Sequence, residues 1–284
     1  MVSQVLSLKP TLFNRHGLFI AITSALVGCA SAPGNDAVSM VDTAEVARAI
    51  DEGNHVSAIN YLERSGVSAH ADLPLLMLTA RAYKAGSDDV KHYSAIQRIL
   101  EIDPYNAFGL EQMGLISLSE GDLETAGKFL TLAVSVEAER WMSWNGLGII
   151  ADADARHEQA REYFNKALEI MPGHPKVLAN LGWSRLLDND YEEAELLLQQ
   201  SVEVAPESRT TLSNLALSIA LQGRYEESMS LYEQLYDKAV AANNVGYAAR
   251  MREDLEAADK YLAMAIELDP DYFKRAGNNL IKRD

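Results

Sequence analysis

Residues 141–174 carry a pattern of apolar and polar positions that is typical of two short amphipathic helices. In the first half, one helical face collects residues three and four apart, namely Trp144, Leu147, Gly148 and Ala151. In the second half, another face collects Ala160, Phe164 and Ala167. Pro172 ends the second helix, because proline has no N–H to donate and crowds the preceding turn. The stretch therefore predicts two helices packed back to back.

The same pattern returns every 34 residues along most of the chain. Units begin near residues 39, 73, 107, 141, 175, 209 and 239, where the first is degenerate and the last has slipped in phase by four residues. A helical pair repeated at this period resembles the tetratricopeptide repeat (TPR) family. The resemblance implies an all-α superhelix, an α-solenoid of about seven repeats within residues 39–284. Two short helices bury their apolar faces only by stacking against neighbouring units.

The last residues, 271–284, continue the helical pattern beyond the final repeat. An apolar stripe with basic residues outside it is formed by Tyr272, Phe273, Ala276 and Leu280. Because the end of a repeat array must cover its exposed apolar face, this segment predicts a C-terminal capping helix over residues 271–284.

The N-terminal residues predict targeting rather than fold. Basic residues precede an apolar run at 17–28 that is too short for a permanent membrane helix. The run ends in Leu26-Val27-Gly28-Cys29, which resembles the bacterial lipobox. The resemblance implies that residues 1–28 are a signal peptide and that Cys29 is lipidated. Ala30 after the cysteine implies the outer membrane with the repeats facing the periplasm, and residues 29–38 then form a short tether.

Charge and composition exclude several functions. The chain carries a formal net charge of −16, whereas a nucleic-acid-binding surface is basic. Gly146, Gly148 and Ala151 match a relaxed dinucleotide fingerprint, but no strand precedes them and they are already explained by helix packing. His157-Glu158 begins like a zinc-protease motif, yet Arg161 stands where the second histidine is required. With a single cysteine there is no disulfide within the chain and no paired-thiol motif. We expect no catalytic residues, metal, cofactor or small-molecule substrate.

The TPR resemblance implies that the first helix of each repeat lines a concave groove. The residues that it implies for partner binding are Leu115, Asn145, Ile149, Trp183, Leu186, Leu217, Tyr247 and Arg250. This groove is apolar and aromatic in its middle, which suits a helix or strand of a protein partner. An alternative is that neighbouring helices cover some of these side chains. Asn180, Asn214 and Asn244 occupy the asparagine position of the family's carboxylate clamp, but the basic partners are missing, so we interpret them as structural hydrogen-bonding residues.

Three segments resemble a particular group of TPR lipoproteins. Residues 212–225, Asn243–Tyr247 and Ala263–Phe273 are similar to TadD, the lipoprotein of the tight-adherence (Flp) pilus system. This resemblance implies a lipid-anchored scaffold that assists assembly or localisation of an outer-membrane secretin, as a pilotin does. Two alternatives remain open: the related pilotin of type IV pili, and an NlpI-like envelope adaptor for a protease or peptidoglycan hydrolase. The neighbouring genes discriminate between these interpretations, since the presence of pilus genes there would favour the first.

Overall fold

The computed structural model describes residues 42–64 and 72–270. These ranges contain fourteen α-helices and no strand, which confirms the predicted all-α fold. The predicted signal peptide, the predicted tether with Cys29 and the predicted capping helix at 271–284 lie outside the described residues. The chain divides into two compact units, Met1–Ile102 and Asp103–Asp284, called here unit 1 and unit 2.

The helices follow each other in pairs. Unit 1 contains α1 (Thr43–Asp51), α2 (His55–Arg64), α3 (Leu73–Ala85) and α4 (Asp89–Ile102). Unit 2 contains α5 (Ala107–Ser119), α6 (Leu123–Val136), α7 (Trp141–Ala153), α8 (His157–Ile170), α9 (Pro175–Leu187), α10 (Tyr191–Val204), α11 (Arg209–Leu221), α12 (Tyr225–Leu235), α13 (Lys238–Met251) and α14 (Leu255–Leu268). None of the helices in the described ranges is both long and apolar enough to span a membrane.

Most helices begin at a residue whose side chain accepts a hydrogen bond from a free N–H of the first turn. Asp72, for example, accepts from the N–H of Leu75 at 3.1 Å, and Asn106 accepts from the N–H of Gly109 at 3.0 Å. The same role is played by Asp42, Asp122, Asp190, Ser208, Asp237 and Asp254. Each such cap stabilises its helix by about 1 kcal/mol, so local sequence fixes where these helices start.

The turn inside each pair contains one residue with positive φ. These left-handed residues are Gly53, Ser87, Gly121, Ala155, Asn189, Gly223 and Glu253. The first six are spaced by 34 residues, and the last follows after only 30. The step is shorter because α12 has 11 residues where the other second helices of unit 2 have 14, and only Tyr236 and Asp237 join it to α13. In the opposite direction, α13 is one residue longer than the other first helices of unit 2. Every pair therefore keeps the same left-handed residue in its turn, even where the repeat is four residues shorter.

Close approach of the two helices within a pair depends on small residues. A Cβ atom added to Gly148 would lie 2.5 Å from Cε1 of Phe164, which is closer than real Cβ contacts. Gly114, Gly182 and Gly246 face Leu130, Leu198 and Leu262 in the same way, at 2.6 to 2.8 Å. Phe164 is 1% exposed, so the absent side chain on the first helix is what admits the large one on the second.

The stacking of pairs in unit 2 gives it a defined inner side. Each helix packs on the next, and the first helices of adjacent pairs (α5, α7, α9, α11 and α13) also contact one another. Contacts between successive second helices are sparser. A stack whose first helices lie closest curves toward them, so they line the concave face. Unit 2 is therefore an α-solenoid, with a core shared between consecutive repeats.

Candidate functional site

Each first helix of unit 2 presents a stripe of residues spaced by four and then three positions. On α7 the stripe is Asn145, Ile149 and Asp152. Asn145 and Ile149 are half-buried, and the side chain of Asp152 is largely buried. Asn180 on α9 donates from Nδ2 to Oδ1 of Asn145 at 2.9 Å, and Ser184 on α9 donates from Oγ to Oδ1 of Asp152 at 2.9 Å. These two bonds join neighbouring repeats, and α7 presents Ile149 between its two bonded positions. We call the set of these stripes the first-helix surface.

An apolar ladder runs through the middle of this surface, with one side chain from each first helix. Its members are Leu115, Ile149, Trp183, Leu217 and Tyr247. Every one of the five is half-buried. Leu115, Ile149, Trp183 and Leu217 pack on one side against the core clusters of their repeats. The ladder therefore leaves part of one apolar side chain exposed in each of five consecutive repeats.

The other three predicted groove residues differ from the ladder. Asn145 lies on the same surface and is bonded to Asn180, so the interpretation of Asn180 as a structural hydrogen-bonding residue matches the geometry. Arg250 is half-buried in the last turn of α13. Leu186 is only 6% exposed and belongs to the core, so its side chain offers little surface to a partner.

Asp152 is the centre of a small polar cluster that sequence patterns did not reveal. Its side chain is 9% exposed, and its Oδ1 accepts from Nδ1 of His157 as well as from Ser184, both at 2.9 Å. Burial raises the pKa of Asp152, whereas the hydrogen bonds from His157 and Ser184 oppose that rise. Because Ser184 donates to the carboxylate and not to the histidine, the three residues do not form the relay that activates a serine nucleophile.

Glu111 supplies a second buried carboxylate on this surface, and both of its oxygens have partners. Glu111 is 1% exposed, and its two oxygens meet Oγ of Ser143 at 3.0 Å and Nη1 of Arg140 at 3.4 Å. Both partners come from the next repeat. No sequence pattern signals this contact, since a glutamate on a helix is usually solvated. Among the described residues, no group of three His, Cys, Asp or Glu side chains has a geometry that could hold a metal.

Unit 1 contains a buried histidine, His92, whose protonation is expected to lower the stability of the unit. His92 is 4% exposed, its Nδ1 donates to the carbonyl of Ala80 at 2.9 Å, and its buried Nε2 has no hydrogen-bond partner. Burial lowers the pKa of His92 and nearby Lys84 lowers it further, while the bond to Ala80 and the charge of Asp89 act in the opposite direction. The neutral form is therefore the one that fits the fold.

Acidification is expected to destabilise unit 1 through His92. An unfolded histidine has a pKa of about 6.5, so as the pH falls below about 6.5 the unfolded chain binds a proton more readily than the folded one, and stability is lost. Urea unfolding at about pH 7.5 and about pH 5 should show a smaller loss for His92→Ala than for wild type. The equivalent position holds alanine in five other repeats, at 58, 126, 160, 194 and 258. Equal losses in both proteins would contradict this role.

Comparison with known proteins identifies the repeats. Two tetratricopeptide repeat family models match the chain, one over residues 139–207 and the other over residues 180–243. This chain therefore contains tetratricopeptide repeats. Their role as protein-binding scaffolds agrees with an apolar ladder on the concave face and indicates protein partners.

Individual relatives are distant. A TPR repeat-containing protein of Pseudomonas aeruginosa, PA4667, is 29% identical over 112 residues, which are 39% of this chain and 19% of that protein. The matched segment thus spans about a fifth of the relative. The crystal structure of YrrB, described as a TPR protein with an unusual peptide-binding site, is 21% identical, with a TM-score of 0.52 over 64% of this chain and 95% of its own. The structure of Pseudomonas aeruginosa PilF is 18% identical, with a TM-score of 0.53 over 70% of this chain and 92% of its own. At these identities the two structures establish the fold alone.

Proposed function

We propose that this protein is a lipid-anchored scaffold of the outer membrane, resembling TadD, that binds a protein segment on its first-helix surface and assists assembly of a pilus or secretion secretin. The apolar ladder carries this proposal. Five consecutive repeats each leave one apolar side chain partly exposed at the same place, on the face that tetratricopeptide repeats use for binding. A row of apolar side chains in register can pack against the side chains of a helical or extended partner segment.

Two further features support the anchor and the pilus role. The sequence Leu26-Val27-Gly28-Cys29 resembles a lipobox, which implies a lipid on Cys29. The segments similar to TadD lie in the last two repeats, around Asn243–Tyr247. PilF, a pilus-related TPR protein, has a similar fold, and this likeness supports the scaffold without identifying its partner.

Deletion of the gene tests the proposal directly. We expect the deletion strain to lose heat- and detergent-resistant secretin multimers from the outer membrane, and wild-type protein to restore them. Normal multimers in the deletion strain would remove the secretin role and favour an envelope adaptor, whose partner would then be sought by crosslinking.

Trp183→Ala tests whether the ladder is the binding surface in the same assay. The substitution removes the largest ladder side chain, so we expect fewer secretin multimers with a melting temperature lowered by only a few degrees, since the ring is partly exposed. Leu196→Ala is the matched control, because Leu196 is a 59% exposed apolar residue of the same repeat on its second helix. Equal effects of the two substitutions would count against the ladder, and a large loss of helicity would assign Trp183 to the core.

A further inference from the structure

The carboxylate of Asp152 has one oxygen that the fold leaves without a hydrogen-bond partner, although it is not among the buried unpartnered atoms of the described residues. It lies in the last turn of α7, where the negative end of the helix dipole disfavours an anion. Its side chain is only 9% exposed, and this burial disfavours the charge further. Both hydrogen bonds that it receives, from His157 and Ser184, converge on Oδ1. Oδ2 accepts no hydrogen bond from any residue in the described part of the chain.

The surroundings of Asp152 define the ligand that would complete it. It lies one helical turn after Ile149 of the apolar ladder, so the two side chains are about 5–6 Å apart at Cβ. Ser184 is uncharged, and the carboxylate of Asp152 keeps one oxygen, Oδ2, without a hydrogen-bond partner in the described part of the chain. Arg161, the cation that acts on Asp152 through space, is itself paired with Glu158 and Asp188. A cation is the ligand with complementary charge.

We propose that Asp152 binds the side chain of a lysine or arginine in the partner segment, so that the first-helix surface recognises an apolar residue followed closely by a basic one. The inference rests on the proposed function, because it concerns the same surface and names the chemistry of its ligand. The apolar side chain packs on Ile149 and Trp183, and the cation forms a charge-assisted hydrogen bond with Oδ2. Glu111, the other buried carboxylate of this surface, is excluded because its two oxygens already have partners.

Peptide selection tests the proposal with random sequences in place of the natural partner. Random peptides of about twelve residues, which span about 40 Å when extended, are displayed on phage and selected in parallel on the full chain and on its Asp152→Asn variant. Asparagine keeps an oxygen that accepts from His157 and Ser184, so it removes the charge and retains the fold, which an unchanged melting temperature verifies. We expect peptides from the wild type to carry lysine or arginine within two positions of an apolar residue, and peptides from the variant to lack this preference.

Affinity measurements on one selected peptide complete the test. Changing its basic residue to methionine should weaken binding to wild type about tenfold and leave binding to Asp152→Asn unchanged, which is a coupling of about 1.4 kcal/mol. Glu169→Gln, which removes an exposed charge on α8, is the control for general attraction of cations to an acidic protein. Ser184→Ala removes the bond between repeats and keeps the carboxylate, so it should retain the coupling. Its loss in Ser184→Ala would assign Asp152 a structural role.

The outcomes separate this inference from the proposed function. If apolar motifs without a basic residue are selected equally on both proteins, or if the coupling is absent, only the role of Asp152 is overturned. If neither protein selects any motif, the first-helix surface does not bind linear segments, and the proposed function loses its supporting observation together with this inference.

Discussion

Gly148→Leu is expected to lower the free energy of unfolding by about 3 kcal/mol or more, and Gly148→Ala by about 1–2 kcal/mol. The reason is the contact between α7 and α8. The first added carbon would lie 2.5 to 2.7 Å from three ring carbons of Phe164, and that ring is itself 1% exposed, so it has no room to withdraw. Urea denaturation of wild type and both variants measures the effect.

Gly127→Ala is the matched control for the same chemical change. Gly127 also lies inside a helix, α6, but an added Cβ would meet only Cδ1 of Ile150, at an ordinary 3.9 Å. Alanine is the better helix former by about 0.5–1 kcal/mol, so this substitution should stabilise the protein. If Gly148→Ala stabilises as much as Gly127→Ala, the close approach of α7 and α8 does not control the packing of the pair.

The sequence predicts this close approach, because glycine and alanine recur at fixed positions in register with large apolar residues. It does not predict how the pattern is adjusted where alanine replaces that glycine. Ala80 and Ala216 occupy the equivalent position in their repeats, and their carbonyls are bonded to the buried side chains of His92 and Ser228. Each of these polar residues replaces an alanine of the pattern, so two changes that are separate in sequence form one contact in space.

The candidate site was also predictable from the sequence only in part. A helical period identifies which residues share a face, and the TPR resemblance indicates which face is the groove, so the five ladder residues could be named before the structure. Adjacent side chains on a helix point in directions about 100° apart. A repeat pattern alone therefore cannot decide which of two adjacent residues at the edge of a face is buried. Leu186 is 6% exposed and Leu187 is 40% exposed. The contacts of Glu111 with Arg140 and Ser143, and of Asp152 with Ser184, could not be predicted either, because these partners lie 29 to 32 residues away and meet only once the repeats are stacked.

Cys29→Ala is expected to release the protein from the membrane completely. By the lipobox resemblance, the cysteine carries several acyl chains, and two or more chains anchor a protein stably where a single chain binds only marginally. The lipid on Cys29 is therefore the predicted anchor. Fractionation of cells should find the variant in the soluble fraction, with the helical content and melting temperature of wild type. A variant that remains with the membranes would contradict the lipobox assignment.

Ala30→Asp provides the companion experiment, because it leaves Cys29 in place and changes only the residue that follows it. In bacterial lipoproteins, aspartate at this position usually causes retention in the inner membrane. We therefore expect the Ala30→Asp protein to move from the outer to the inner membrane on a density gradient while remaining membrane-bound. The pair separates anchoring from sorting: secretin multimers should be lost in both variants if the scaffold must act at the outer membrane. They should persist in Ala30→Asp if attachment to either membrane is sufficient.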